Sequence, residues 1–277
     1  MSTAIVTDST SDLPPELLDQ YPIYQVPALL VLNGRCYRDG QQLTREKFYR
    51  QLPGFNPLPT TSSPSLGDFQ DQFQAVFSDG YTDIIALHAA GNLSGIYQTA
   101  QMAAREFDRR ITVIDSGQLS WGLGYQVLTA ARAAAQSGDH DDILRIVAEA
   151  REQIHLFALL DTLKYVQRSG RVSWTKARLG SLLQVKPLIQ LKDGQVLDQG
   201  LTRSRKKGYR LLLKTLQQLG ALRSLVILHT NPEPEDQHSF LEQVKELTSL
   251  EPRVVHVTTV IGTHVGPHGI GFAAVVK

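Results

Sequence analysis

Thr82-Asp83-Ile84-Ile85-Ala86-Leu87-His88 is a strand-like run, and beyond it Tyr97, Ala100, Ala103 and Phe107 recur at helical spacing. Ile111-Thr112-Val113-Ile114 repeats the pattern, leading to Asp115 and then to an alanine-rich helical stretch over 120–136. Ala4-Ile5-Val6-Thr7 is a third short strand, closed by the polar turn and helix-start signal Asp8-Ser9-Thr10-Ser11-Asp12-Leu13-Pro14-Pro15. Strands alternating with helices make β-α-β units and a parallel sheet, whose ligands normally lie beyond the carboxyl ends of the strands. Small hydroxyl and glycine residues gather at these junctions: Thr61-Ser62-Ser63-Pro64-Ser65, Asn92-Leu93-Ser94-Gly95-Ile96-Tyr97-Gln98, Asp115-Ser116 with Ser120 following, and Ile261-Gly262-Thr263-His264-Val265-Gly266-Pro267. A helix N-terminus offers unpaired N–H groups and a partial positive charge, so these segments predict a site for an anionic head group, carboxylate or phosphate.

Working outward, residues 55–64 contain three prolines and should be extended. Ser65 with Asp68 then forms a capping-box pattern ahead of Phe69, Phe73 and Phe77 on one helical face. Residues 140–154 read as a polar amphipathic helix connecting two halves of different grammar. Beyond it come a strand over 155–160, a hairpin over 186–200 turning at Lys192-Asp193-Gly194-Gln195, strands over 224–229 and 253–260, and a closing strand over 270–276. The expected fold class is α/β with two domains. Residues 1–154 form an N-terminal parallel-sheet domain carrying the hydroxyls, and 155–277 an α+β domain with a mixed or antiparallel sheet.

The 277 residues, 42% of them apolar, suffice for two ordinary cores. Twenty-eight basic against twenty-seven acidic side chains leave a net charge of +1, which gives no overall field for steering nucleic acid or an anionic membrane. Cys36 is the only cysteine, so no internal disulfide framework exists. The first residues lack a basic n-region with a following apolar stretch, and no apolar run approaches a membrane span of roughly 18 residues. A cytoplasmic protein is expected.

Local chemistry leaves several readings open. Ser94 suits a helix N-cap as well as a ligand contact, and Thr61 suits a solvated turn. Asp8, Asp12 and Asp115 beside serines commonly stabilise turns and helix starts. His264 and His268 are spaced i, i+4, but Gly266 and Pro267 between them argue against a zinc-binding helix, and no metal or cofactor is expected. Arg203-Ser204-Arg205-Lys206-Lys207 has no interleaved aromatics and begins a solvated helix; cations there oppose the helix dipole, which an anionic ligand or acidic partner would relieve. An esterase would use Ser94 as nucleophile with His264 or His88 as base and Asp115 to orient it, although Gly91-Asn92-Leu93-Ser94-Gly95 is not the G-x-S-x-G elbow. A sugar- or phosphate-binding protein would use the same helix termini.

The four hydroxyl segments, together with Thr7-Asp8-Ser9-Thr10-Ser11-Asp12-Leu13-Pro14, Ser169-Gly170-Arg171-Val172-Ser173 and the Arg203–Lys207 segment, resemble the DegV family in order and spacing across nearly the whole chain. That family includes bacterial fatty-acid-binding proteins and the acyl-carrying subunits of fatty acid kinases. The resemblance implies a long-chain fatty acid buried between two α/β domains, with its carboxylate at Thr61 and Ser94 and with His264 and Arg203 nearby. Ser62, Gly95, Asp115, Ser116 and His268 are supporting candidates, and Arg171 and Lys206 are candidates for docking a kinase subunit. Transient membrane contact is a further implied partner. The protein would present the acid and not itself be the catalyst. Leu179, Leu182, Leu183 and Ile189 are candidates for the tail pocket. Family members often carry Gly where His268 stands, and an imidazole there would add a head-group contact or shorten the pocket.

Overall fold

The computed structural model describes residues 2–136, 138–172, 174 and 185–277. Ser173, Leu179, Leu182 and Leu183 of the readings above lie outside the described residues. Four parallel strands form the first sheet: β1 (Thr3–Asp8), β2 (Ile23–Val26), β6 (Asp83–His88) and β7 (Ile111–Asp115), in the order β2-β1-β6-β7. A three-stranded antiparallel sheet, β4-β3-β5, is made of β3 (Leu29–Leu32), β4 (Arg35–Arg38) and β5 (Thr60–Ser62). The third sheet runs β10-β9-β8-β13-β11-β12 and uses β8 (Ile154–Leu159), β9 (Lys186–Lys192), β10 (Gln195–Thr202), β11 (Leu222–His229), β12 (Arg253–His256) and β13 (Ile270–Val276). Only β11 and β12 pair in parallel there; the other neighbours are antiparallel.

Strand periodicity decides which side chains face which layer. Ala4, Val6, Ile84 and Ala86 pack on α3 (Leu66–Ser78) and α4 (Ile96–Ala104), through Phe69, Phe73, Ala100 and Ala103. Their alternates Ile5, Ile85 and Leu87 face α5 (Ser120–Gln136). The far side of α5 meets Leu156, Val226, Ala273 and Val275 of the third sheet. That sheet's other face is covered by α8 (Arg205–Gln218) and α9 (Pro234–Leu247). The layers therefore run helices, sheet, α5, sheet, helices. A helix between two sheets must be apolar almost all round, which accounts for the alanine-rich composition of α5 and its burial from Ser120 to Leu128. Other α-helices among the described residues include α1 (Pro15–Gln20), α2 (Arg45–Gln51), α6 (His140–Arg151), α7 (Lys164–Ser169) and α10 (Thr259–Val265).

The Ser65–Asp68 capping box forms at the start of α3 with both reciprocal bonds. Ser204 caps α8 by accepting from Lys207 N–H. The conflict between Arg205 and the α8 dipole is relieved inside the chain, by Asp236 at 2.6 Å and Asp161 at 2.9 Å. One expectation needs correction: residues 253–260 are not a single strand. Pairing stops at His256, and Thr258 Oγ1 accepts from Ile261 N–H to start α10.

Helix α10 is held close to the three-stranded sheet's helix α2 at Gly262. A Cβ there would overlap the Tyr49 phenol, whose hydroxyl donates to the Val257 and Thr258 carbonyls, 3.1 Å from each. Gly262→Ala is expected to lower stability by about 1–3 kcal/mol, the usual cost of overpacking a filled site. Urea unfolding of both proteins tests this, and equal midpoints would refute it.

A polar-mouthed cavity between the sheets

The carboxyl ends of β1 and β6, the start of α5, helix α10 and the third sheet border a cavity in two adjoining parts that share lining residues. Its outer part is lined by Thr61, Ser94, His264, Ser169 and Arg171, with Thr10 beside them. Its inner part is lined by Leu156, Ala158, Leu160, Leu191, Leu228 and Ile270. Leu93, Leu119, Ile189, Val196, Ile261 and Val265 border both parts. A polar mouth thus opens into an apolar interior.

Three remote segments supply the mouth. Thr61 sits on β5, which is held by pairing of Thr61 with Leu30 of β3. Ser94 follows β6 and precedes α4, whose N-cap is Gly95. Gly95 lets the β5 segment approach, since a Cβ there would come 3.1 Å from Ser63 Oγ. Ser94 is thus not the N-cap residue itself: its Oγ accepts from Ile96 N–H at 3.4 Å, a long bond that leaves the hydroxyl proton free.

His264 arrives on the last turn of α10, and its Nε2 lies 2.8 Å from Thr61 Oγ1. Asp12 anchors that helix across the molecule. Its carboxylate accepts from Thr258 N–H at 2.8 Å and from Ser120 Oγ at 2.5 Å, with Arg45 at 3.4 Å. Burial pushes Asp12 up to about 7, against the opposing pull of Arg45. Asp8 accepts from Thr10 N–H, Thr10 Oγ1 and Ala89 N–H and lies 3.1 Å from His88 Nδ1, so it fixes the turn after β1.

Burial, helped by the Arg171 and Arg168 guanidiniums, lowers His264 to about 4, so the ring is neutral at pH 7. The unfolded ring titrates near 6.5. Between these values the unfolded chain binds a proton that the folded chain does not. This contribution to stability is complete above pH 6.5 and is lost as pH falls through about 4. Lowering pH from 7 to 4.5 should therefore destabilise the wild type more than His264→Gln in urea titrations. Parallel losses in the two proteins would contradict the buried neutral ring.

The other sequence candidates fall elsewhere. Arg203 is exposed between β10 and α8 and does not line the cavity. Arg171, expected only as a docking residue, is the arginine at the mouth: its Nε lies 3.5 Å from the Leu93 carbonyl and its Nη1 donates to the Ser169 carbonyl. Lys206 is exposed on α8. Ser62 is exposed and donates to the Ser63 carbonyl. Asp115 accepts from Gly91 and Gly117 N–H, and Ser116 Oγ accepts from Gln118 N–H, so both order the loops behind the mouth.

His268 lies outside the lining, where its N–H donates to the Thr230 carbonyl at 2.6 Å. Its φ of 62° is in the left-handed region, where glycine is the unstrained residue. The imidazole therefore neither lines nor shortens the cavity. Thr10, Ser169, Leu93 and Leu119 were not singled out from sequence, although each adjoins or falls within a quoted segment. Among the described residues no hydrogen bond joins Ser94 to a histidine: His264 meets Thr61, and His88 is buried against Asp8. No group of metal ligands is found among the described residues.

Fold and cavity together define the class: an α/β protein of layered sheets with an amphipathic cavity between them. A family model described as "Uncharacterised protein, DegV family" matches residues 2–277, and the chain belongs to the DegV family. A DegV domain-containing protein of Caldanaerobacter subterraneus is 32% identical over 277 residues, covering 97% of this chain and 96% of the other. A DegV family protein from Thermus thermophilus, described for its fatty acid binding, aligns with a TM-score of 0.90 at 31% identity over 100% of both chains. DegV of Bacillus subtilis, described as a fatty acid binding protein, aligns with a TM-score of 0.89 at 28% identity, again over 100% of both.

Proposed function

We propose that the cavity holds a long-chain fatty acid, with its carboxylate at Thr61, Ser94 and His264 and its tail in the apolar interior. The observation that carries this reading is the 2.8 Å Thr61–His264 pair beside Ser94, at the mouth of a space walled by leucine and isoleucine. A neutral ring suits the task. With the proton on Nε2, the ring donates to Thr61 Oγ1, and the threonine keeps its own hydrogen for an anion. With the proton on Nδ1, Thr61 must donate to the ring instead. A carboxylate at the mouth selects the first tautomer, and Arg171 adds a favourable field. Residues 1–154 and 155–277 act as two domains around the ligand.

The protein is a cytoplasmic carrier that presents the acid to a separate kinase subunit, which forms the acyl phosphate. Fatty acid binding by relatives supports the carrier reading. Native mass spectrometry of the purified protein should show one co-purifying fatty acid per chain. An empty protein that also fails to take up palmitate would remove the reading. Addition of a cognate kinase subunit and ATP should yield acyl phosphate from the bound acid, and its absence would leave carriage without kinase presentation.

A further inference from the structure

A second recess opens where α5 and α6 meet the third sheet. Its volume is about 440 Å³, within the roughly 300–1,000 Å³ of small-molecule sites. No residue lines both this recess and the acyl cavity. Ile154 of β8, Val226 of β11 and Val275 of β13 wall the recess, and Leu156, Leu228 and Gly271 of the same three strands wall the inner acyl cavity. Residues two or four apart share one face of a strand, so both spaces lie over the same sheet face, displaced by about 7 Å or more along the strands. Helix α5 presents one stripe to the recess: Trp121, Tyr125, Leu128, Thr129 and Arg132.

The lining is rich in donors. Arg132, Arg223 and Arg253 border the recess, against Glu149 and Glu251. Glu149 is already engaged by Arg145 at 3.0 Å, and Arg253 by Glu16 at 2.7 Å. Arg132 lies over the Tyr21 ring and Arg223 donates to Gln153 Oε1; neither has a carboxylate partner among the described residues. Both are exposed, so their guanidiniums can turn to an anion. Tyr125 Oη and Ser224 Oγ lie 2.9 Å apart, and burial pushes the phenol up to about 12, which keeps its proton in place. Trp121 is 3% exposed, and its Nε1 has no acceptor among the described residues. A buried donor without a partner is destabilising, and an acceptor oxygen beside it would remove the deficit.

An inorganic anion would answer the guanidiniums but leave Leu128, Ile154, Val226 and Val275 uncovered, and a neutral apolar molecule would do the reverse. The geometry points to a second ligand site at the α5–α6 recess, for a small organic anion whose apolar body lies on that wall and whose carboxylate, sulfonate or phosphate meets Arg132 and Arg223. This site is distinct from the fatty acid cavity and does not depend on the cargo reading.

The probe is the dye anilinonaphthalene sulfonate, titrated by fluorescence into the protein with and without saturating palmitate. Saturable binding of one dye per chain is expected in both cases. Its uncharged counterpart, phenylnaphthylamine, should bind the palmitate-saturated protein at least about tenfold more weakly, because it gives the guanidiniums no anion. Arg132→Gln with Arg223→Gln should weaken the sulfonate about tenfold or more, whereas Arg203→Gln with Lys206→Gln, outside the recess, should leave it unchanged. Thr129→Trp, which fills the recess from a half-exposed position and keeps both arginines, should remove binding. Urea midpoints report on folding of each variant, and the two exposed arginines can be neutralised singly if Thr129→Trp proves unstable. No dye bound to the wild type, competitive displacement of the dye by palmitate, or equal affinity in the folded Arg132/Arg223 variant would each overturn the site. The arginine variant locates the dye even if palmitate fails to bind, a result that would remove the cargo reading alone.

Discussion

Replacing Thr61 and Ser94 together by alanine is expected to weaken fatty acid binding by two to four orders of magnitude. Each hydroxyl that donates to a carboxylate contributes roughly 1.5–3 kcal/mol, because an ionised group out of water must have its oxygens bonded. Two such bonds are worth about 3–6 kcal/mol, and about 1.4 kcal/mol corresponds to tenfold in affinity. Thr61→Ala should be the larger single change, since it also strips His264 of its 2.8 Å partner at the mouth. The neutral ring can then turn away. Titration calorimetry with palmitate measures the loss, and the corresponding fatty alcohol serves as control. Its affinity should fall much less, because it carries no charge to desolvate. Affinity of the double variant equal to wild type would dismiss the proposed head-group site while leaving the cavity intact.

Much of the fold was legible because its signals are local. β1, β6 and β7 are short apolar runs followed by polar junctions, and the β9–β10 hairpin turns at Asp193-Gly194 within the segment expected for it. The three-stranded sheet was missed despite a usable signal: Asn33-Gly34 between Leu29–Leu32 and Arg35–Arg38 is a strong hairpin dipeptide. The start of α10 was hidden by Val257-Thr258-Thr259-Val260, a β-branched run that favours a strand until Thr258 caps a helix through its hydroxyl. The arginines show where sequence runs out. Arg171 and Arg203 occupy similar polar turns, and only the packing of α7 against α10 brings the first to the mouth. The same limit hid most of the cavity wall, Ile189 excepted, because a leucine facing a void and one facing a core read alike.

Chain-length preference provides the second large effect, because it depends on the interior and not on the mouth. Ala158 lies on β8, opposite Gly271 of β13 and Ile189 of β9, and its small side chain faces the inner cavity. Ala158→Phe places a ring in that space. A fatty acid would then lose burial of roughly five methylenes, about 4 kcal/mol at ~0.8 kcal/mol per CH₂, or about a thousandfold in affinity. An acid short enough to end before residue 158 should bind nearly as well as before, since its carboxylate contacts at Thr61 and Ser94 are untouched. The variant should thus convert a rising dependence of affinity on chain length into a plateau. Any loss of stability should stay within the roughly 1–3 kcal/mol of an overpacked site, because Ala158 borders the cavity. The plateau separates this outcome from general damage, which would weaken long and short acids alike. A long acid bound by the phenylalanine variant as tightly as by the wild type would mean that the tail runs elsewhere, and that leucines around the inner cavity enclose a packing void and not a ligand.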